Sequence, residues 1–195
     1  MPLAERRWAA RRPVGARHYG RMADTQGAQP NRERLDLIES LDRHRRFLRQ
    51  TVRGLSDEEA GRRTTVSELC LGGLLKHVAA TESRWVDFIL EGPSVMTMSG
   101  PADYEAYART FRMGEGDTVD GLLDAYGEVA RRTNELVASL LSLDLAQPLP
   151  EAPWFEPGAQ WSARRVVLHI IAETSQHAGH ADIIREALDG AKTMG

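Results

Sequence analysis

The stretch ARRVVLHIIAETSQHAGHADIIRE, residues 163–186, decides how the chain is read. Ser162 stands before it as a helix cap and Leu188-Asp189-Gly190 closes it, so the spacing predicts one long amphipathic helix. At about 100° per residue, His169, Glu173, His177 and His180 fall within one sector about 80° wide. Ile170, Ala181 and Ile184 lie on or near that sector, which therefore faces inward. Four ionisable groups on a core-facing stripe are costly unless hydrogen-bonded or ligated to a metal. His169 and His180 stand about 16 Å apart along the axis, so one ion cannot take both. Neighbours one turn apart can share an ion: His169 with Glu173, Glu173 with His177, or His177 with His180.

A bundle site needs a further ligand from a facing helix, and His77 is the best placed. It sits in the apolar run LGGLLKHVAATESRW, residues 71–85. That helix is predicted from Ser67 to the Gly92-Pro93 stop. Gly72-Gly73 weakens it by about 1 kcal/mol per glycine, a cost that close approach of another helix would explain. Upstream, Leu37, Leu41, His44, Leu48, Thr51 and Leu55 mark a first helix from Asn31 to near Gly54. Ser56-Asp57-Glu58-Glu59 reads as a capped turn. A long connection over residues 92–117 holds a short helix from Pro101 to Phe111. Asp117 or Thr118 then caps a third long helix through Leu140. A bridge with Pro148, Pro150, Pro153 and Pro157 leads to the last helix. No strand and no internal repeat is predicted. The fold class is all-α, a four-helix bundle over residues 31–190 with a long second connection.

Composition narrows the function classes. The chain has 195 residues, a net charge of −3 and no apolar stretch of membrane-spanning length, so one domain with no membrane partner is expected. Near-neutral charge without a basic stripe argues against nucleic acid. A single cysteine, Cys70, excludes an internal disulfide and any CxxC motif, and with it a zinc anti-sigma factor built on His-x-x-x-Cys-x-x-Cys. Residues 1–34 carry eight arginines against Glu5, Asp24 and Glu33, and contain Gly15, Gly20, Gly27, Pro13 and Pro30. Residues 1–30 are read as a disordered leader, or as sequence upstream of a later start at Met22, with an organellar transit peptide as the alternative. The segment lacks the apolar core of a secretory signal, so a cytoplasmic location is expected.

The two helical stretches quoted above resemble the DinB-like superfamily of four-helix-bundle proteins. That superfamily includes the mycothiol-dependent maleylpyruvate isomerases and the bacillithiol transferases. The resemblance spans residues 31–190 and is most specific at HAGHAD, residues 177–182. It implies a divalent metal, zinc or nickel first, held by one histidine of the second helix and an i,i+4 pair on the last. Carried over, the ligands are His77, Glu173 and His177; many members place His where this chain has Glu173, and the isomerase branch uses Glu. His180 falls where relatives often place a polar residue, and it is assigned to orient a ligand or a metal-bound water. His169 and His44 complete the pocket candidates. In the thiol-dependent relatives the metal holds a low-molecular-weight thiol as thiolate for attack on an electrophile. The sequence stops soon after the last helix, where the isomerases carry a further domain, so maleylpyruvate isomerisation is not expected.

Two histidines and a carboxylate leave coordination positions open, which is catalytic rather than structural geometry. The leading expectation is a metal-dependent S-transferase joining a mycothiol-type thiol to a small electrophile. A non-catalytic, metal-braced stress-response or dimerisation module is the alternative. A metal-dependent hydrolase ranks lower, because Glu173 cannot both ligate and serve as a free base. Bundles of this type often pair along helices, so a homodimer is an expectation for assembly. Trp154, Phe155 and Trp161 are candidates to lid an apolar pocket, and Cys70 is read as packing. Glu82 and Arg84 are placed in solvent, and Arg45-Arg46, Arg62-Arg63 and Arg131-Arg132 on ordinary helix surface.

Overall fold

Asn31 opens the first helix: its side chain accepts the backbone N–H of Arg34, and α1 runs Arg32–Gln50. The structure is a computed structural model that describes residues 31–193. The leader read at residues 1–30 lies outside the described residues. Ser56 caps α2 (Asp57–Gly61) reciprocally with Glu59, Ser56 N to Glu59 Oε2 at 2.9 Å and Glu59 N to Ser56 Oγ at 3.2 Å. The second long helix, α3, spans Leu71–Glu91 and does not begin at Ser67 as expected. Hydroxyls in that stretch bind the backbone locally instead. Ser67 N donates to Thr65 Oγ1 and Leu69 N to Ser67 Oγ, each at 3.2 Å, which holds turns rather than helix. Gly92, at φ +85°, stops α3 before Pro93.

The long connection carries a 3₁₀ turn at Pro93–Met96 and then α4 (Pro101–Arg109). Thr118 caps α5 (Val119–Ser139), and Ser162 caps α6 (Ala163–Asp189) by accepting from Arg165 N at 3.2 Å. The proline bridge corrects the expectation of no strand. β1 (Ala146–Pro148) pairs antiparallel with β2 (Gln160–Ser162), because the bridge leaves and returns alongside itself. Its tip is tied by Leu149 N to Ala159 O at 2.9 Å.

Helix α1 packs on α6 and α5, and α3 packs on the same two, so the four long helices close a bundle with α1 and α3 on one diagonal. One apolar cluster holds Leu48, Leu74, Leu75, Val78, Tyr126 and Ile184. The other holds Leu41, Phe88, Val137, Val166, Val167 and Ile170. A polar layer lies between the two along all four helices: Arg45, Glu82, Thr133 and Thr174, each at most 2% exposed. This overturns the solvated placement of Glu82 and the surface placement of Arg45. Arg45 reaches across the diagonal, donating Nε to Glu82 Oε2 at 3.2 Å and Nη2 to Oε1, while Thr133 Oγ1 donates to the same carboxylate. Arg45 Nη1 also donates to Asp42 Oδ1 and Asn134 Oδ1, each at 2.8 Å, so the buried guanidinium is paired with two carboxylates.

The glycine pair also differs in its reason. A Cβ at Gly73 would stand 2.0 Å from Phe111 O, and one at Gly72 would stand 2.2 Å from Met113 Sδ. What approaches closely is the loop after α4, not another helix. Among the described residues no helix is long and apolar enough to cross a membrane.

Candidate metal centre

Helix α3 delivers His77 to the bundle interior, 2% exposed, and α6 presents Glu173 and His177 one turn apart beside it. One ligand atom from each of His77, Glu173 and His177 lies within 4.8 Å of the others. The His77 and His177 rings meet edge to face at 5.0 Å, and His177 Nε2 is 3.6 Å from Glu173 Oε2. Two imidazoles and a carboxylate at this spacing can hold a divalent ion after small side-chain rotations. Of the four groups on the α6 stripe, the structure brings Glu173 and His177 to His77.

The end of α4 and the segment after it roof His77. Phe111 stacks on its ring at 3.7 Å and Tyr107 meets it edge-on at 5.5 Å. Thr110 decides which nitrogen is available. Its Oγ1 donates to Tyr107 O at 2.6 Å, so toward His77 Nδ1, 2.9 Å away, it acts as acceptor. His77 Nδ1 then carries the proton and Nε2 keeps its lone pair for a ligand role. Sequence reasoning missed Thr110 and saw Tyr107 and Phe111 only as apolar periodicity. Their function comes from a loop folding back over α3, which leaves no local signal.

Electrostatics prepare the same state. Burial, with His177 nearby, pushes His77 down to about 4, outweighing the attraction of Glu173. The close contact with His177 holds the Glu173 carboxyl below the usual carboxylate range, against its desolvation, and His169 adds to the effect. At neutral pH the cluster offers a neutral imidazole and an ionised carboxylate, the forms that bind metal without first losing a proton.

The remaining predicted residues take different places. His180 Nδ1 lies 3.5 Å from His177 Nδ1, at the edge of hydrogen bonding and on the ring side away from Glu173. His169 Nε2 is 3.9 Å from Glu173 Oε1, its ring set edge-on against Trp85 and Trp161, and burial lowers its pKa. His44 sits half-buried on α1 against Phe47 and lines neither cavity at the cluster. Cys70 is buried at the start of α3, its Sγ 3.9 Å from Phe111 O. Arg84, expected in solvent, is half-buried, donates Nε to Val95 O at 3.0 Å and lines both cavities at the cluster. The larger of these, about 930 Å³, reaches Glu173 and is walled by Trp85 of α3 together with Trp154, Phe155 and Trp161, these last three being the bridge aromatics foreseen as a pocket lid.

No curated protein matches the chain. The crystal structure of a conserved protein of Enterococcus faecalis is similar in fold, with a TM-score of 0.60 at 14% identity, covering 80% of this chain and 97% of that one. The family model for mycothiol-S-transferase matches residues 36–190, which takes in all four long helices and the whole cluster. The chain belongs to the mycothiol-S-transferase family, a DinB-like family.

Proposed function

We propose that the protein is a divalent-metal-dependent S-transferase that joins a mycothiol-type thiol to a small electrophile. The observation that carries this reading is the His77, Glu173 and His177 cluster set against a large cavity. A bound ion, zinc or nickel first, would lower the pKa of a thiol brought to one of its open positions. His77 and His177 serve as nitrogen donors, the first held by Thr110 and roofed by Phe111. Glu173 supplies the negative charge that favours the cation and, as a ligand, is not free to act as a hydrolytic base. In the transfer, the thiol loses its proton to solvent and the sulfur lone pair forms the new carbon–sulfur bond. The leaving group departs with the electrons of the bond it broke. The aromatic walls exclude water from this step.

The test begins with metal content, measured on untagged protein prepared without chelators. About one ion per chain is expected, lost in both His77→Ala and Glu173→Ala. The loaded protein is then given mycothiol with a panel of electrophiles, and turnover that requires both thiol and metal supports the reading. A protein that binds no zinc or nickel overturns it. One that binds metal without thiol-dependent turnover is instead a metal-braced module.

A further inference from the structure

Three arginines near the end of α1 line one groove. Arg46 and Arg49 stand one turn apart on the helix. Arg53 follows in the turns that continue its winding, Thr51 N to Leu48 O and Arg53 N to Gln50 O each at 3.2 Å. The groove, about 670 Å³, runs between this end of α1 and the first half of α5, over the apolar Val52, Leu55 and Leu123. It shares no lining residue with the cavities at the metal cluster. We propose that this groove is a second binding site, for a small diphosphate, free or carried on an organic group. The site stands independently of the S-transferase reading.

Structural roles do not account for the three charges. Cations at a helix C-terminus commonly bind its last carbonyls. Here Arg185 of α6 does so, donating Nη1 to Thr51 O at 2.9 Å and to Arg53 O at 3.0 Å. Arg46, Arg49 and Arg53 form no ion pair and no side-chain hydrogen bond among the described residues, whereas the neighbouring Arg45 is paired with Glu82 and Asp42. Like charges one turn apart repel, so the arrangement is unfavourable until an anion enters. Arg49 is the most constrained of the three. Its guanidinium lies over the Tyr126 ring, 5.0 Å from the centroid, and its Nε and Nη2 are buried without an acceptor. The ring holds that cation in place, so little side-chain freedom is lost when a ligand binds.

The rest of the lining narrows the ligand. Guanidinium forks match phosphate oxygens two at a time. Asp42 is spent on Arg45 Nη1 at 2.8 Å and Asn134 Nδ2 at 3.2 Å, which leaves Asp120 as the lining carboxylate that opposes an anion. Three cations against that one carboxylate favour a ligand with more than one negative charge. The apolar floor of Val52, Leu55 and Leu123 offers a seat for an organic group attached to it.

The probes are inorganic pyrophosphate and ADP, titrated calorimetrically into the full-length protein as purified and after dialysis against chelator. Both should bind, and equally before and after dialysis, which separates this groove from phosphate held by an ion at the cluster. Arg46→Gln and Arg53→Gln, at exposed positions, should each weaken binding about fivefold, and Arg49→Gln about tenfold. Asp120→Asn should strengthen it about threefold by removing the opposing charge. Arg62→Gln removes an exposed charge outside the groove and should leave binding unchanged. ADP binding tighter than pyrophosphate assigns the organic group to the apolar floor; equal affinities assign the site to free diphosphate. Binding of neither probe, binding lost on dialysis, or binding indifferent to both Arg46→Gln and Arg53→Gln overturns the proposal. Equal weakening by Arg62→Gln also overturns it, as does a single-stranded oligonucleotide binding tighter than ADP, the mark of an extended nucleic-acid face.

Discussion

His77 depends on a hydroxyl that no local pattern announces. Thr110 has one proton, already given to Tyr107 O, and so it can only accept from His77 Nδ1. Thr110→Val keeps the shape and removes the acceptor. It should lower metal affinity about 10- to 100-fold, with Thr110→Ser restoring it, read by competition with a chromogenic chelator. The buried state of His77 also makes the metal-free protein acid-sensitive. Its folded pKa of about 4 lies below the ordinary 6.5, so the unfolded chain binds the proton first as pH falls. The stabilisation is complete above pH 6.5 and is lost as pH drops toward 4, amounting to about 3 kcal/mol at 1.36 kcal/mol per unit. Urea unfolding in chelator at pH 7 and pH 4.5 should show that loss in the parent, and a shallower one in His77→Gln. Equal slopes would mean that the imidazole is not desolvated.

At the scale of elements, α3 is shaped by the loop that covers it. Gly73→Ala forces a Cβ against the backbone carbonyl of Phe111, which cannot yield as a flexible side-chain end would. The expected cost is about 2–3 kcal/mol, with weaker metal binding as Phe111 is displaced from the His77 ring. Gly179 offers the contrast within α6: nothing lies within 4 Å of its would-be Cβ. Gly179→Ala should stabilise by about 0.5–1 kcal/mol through helix propensity alone. Thermal or urea unfolding of the two variants reads opposite signs; the same sign in both would contradict the close approach at Gly73. The caps at Asn31, Ser56, Thr118 and Ser162 show why helix starts are mostly legible in sequence: one side chain meets a backbone N–H two or three residues on. The start of α3 was misread because Ser67 has the right chemistry but spends it in a turn.

Across the whole molecule, the polar layer of Arg45, Glu82, Thr133 and Thr174 divides the core into two apolar halves. Thr174 adjoins Glu173 in the chain, so this layer and the cluster occupy the same level of α6. Removing Arg45 leaves the buried Glu82 carboxylate with Thr133 alone, whereas removing Glu82 leaves Arg45 with Asp42 and Asn134. Arg45→Met alone should cost about 3–5 kcal/mol, and Glu82→Leu less. The double variant should return to within about 2 kcal/mol of the parent, since no buried charge is left and the half-exposed Asp42 keeps its water. Equilibrium unfolding of the four proteins closes this cycle, and additive single costs would show that the two charges are not coupled.

Helical period, caps and stop signals are written within a few residues of one another, so the sequence alone determined the four long helices, their main boundaries and the shared face of Glu173 and His177. It also determined that His77 stands on an inward face, because its neighbours are apolar at the helical spacing. Only the tertiary structure decided that His77 meets that pair with ligand atoms within 4.8 Å of one another, and that Thr110 pairs with its Nδ1. It alone turned Glu82 and Arg45 inward and stacked Trp161 of the bridge on Trp85. The reason is physical: a lone carboxylate or guanidinium prefers water, and its partner lies 37 residues away in the chain. Burial becomes affordable only after helix packing has brought the two together.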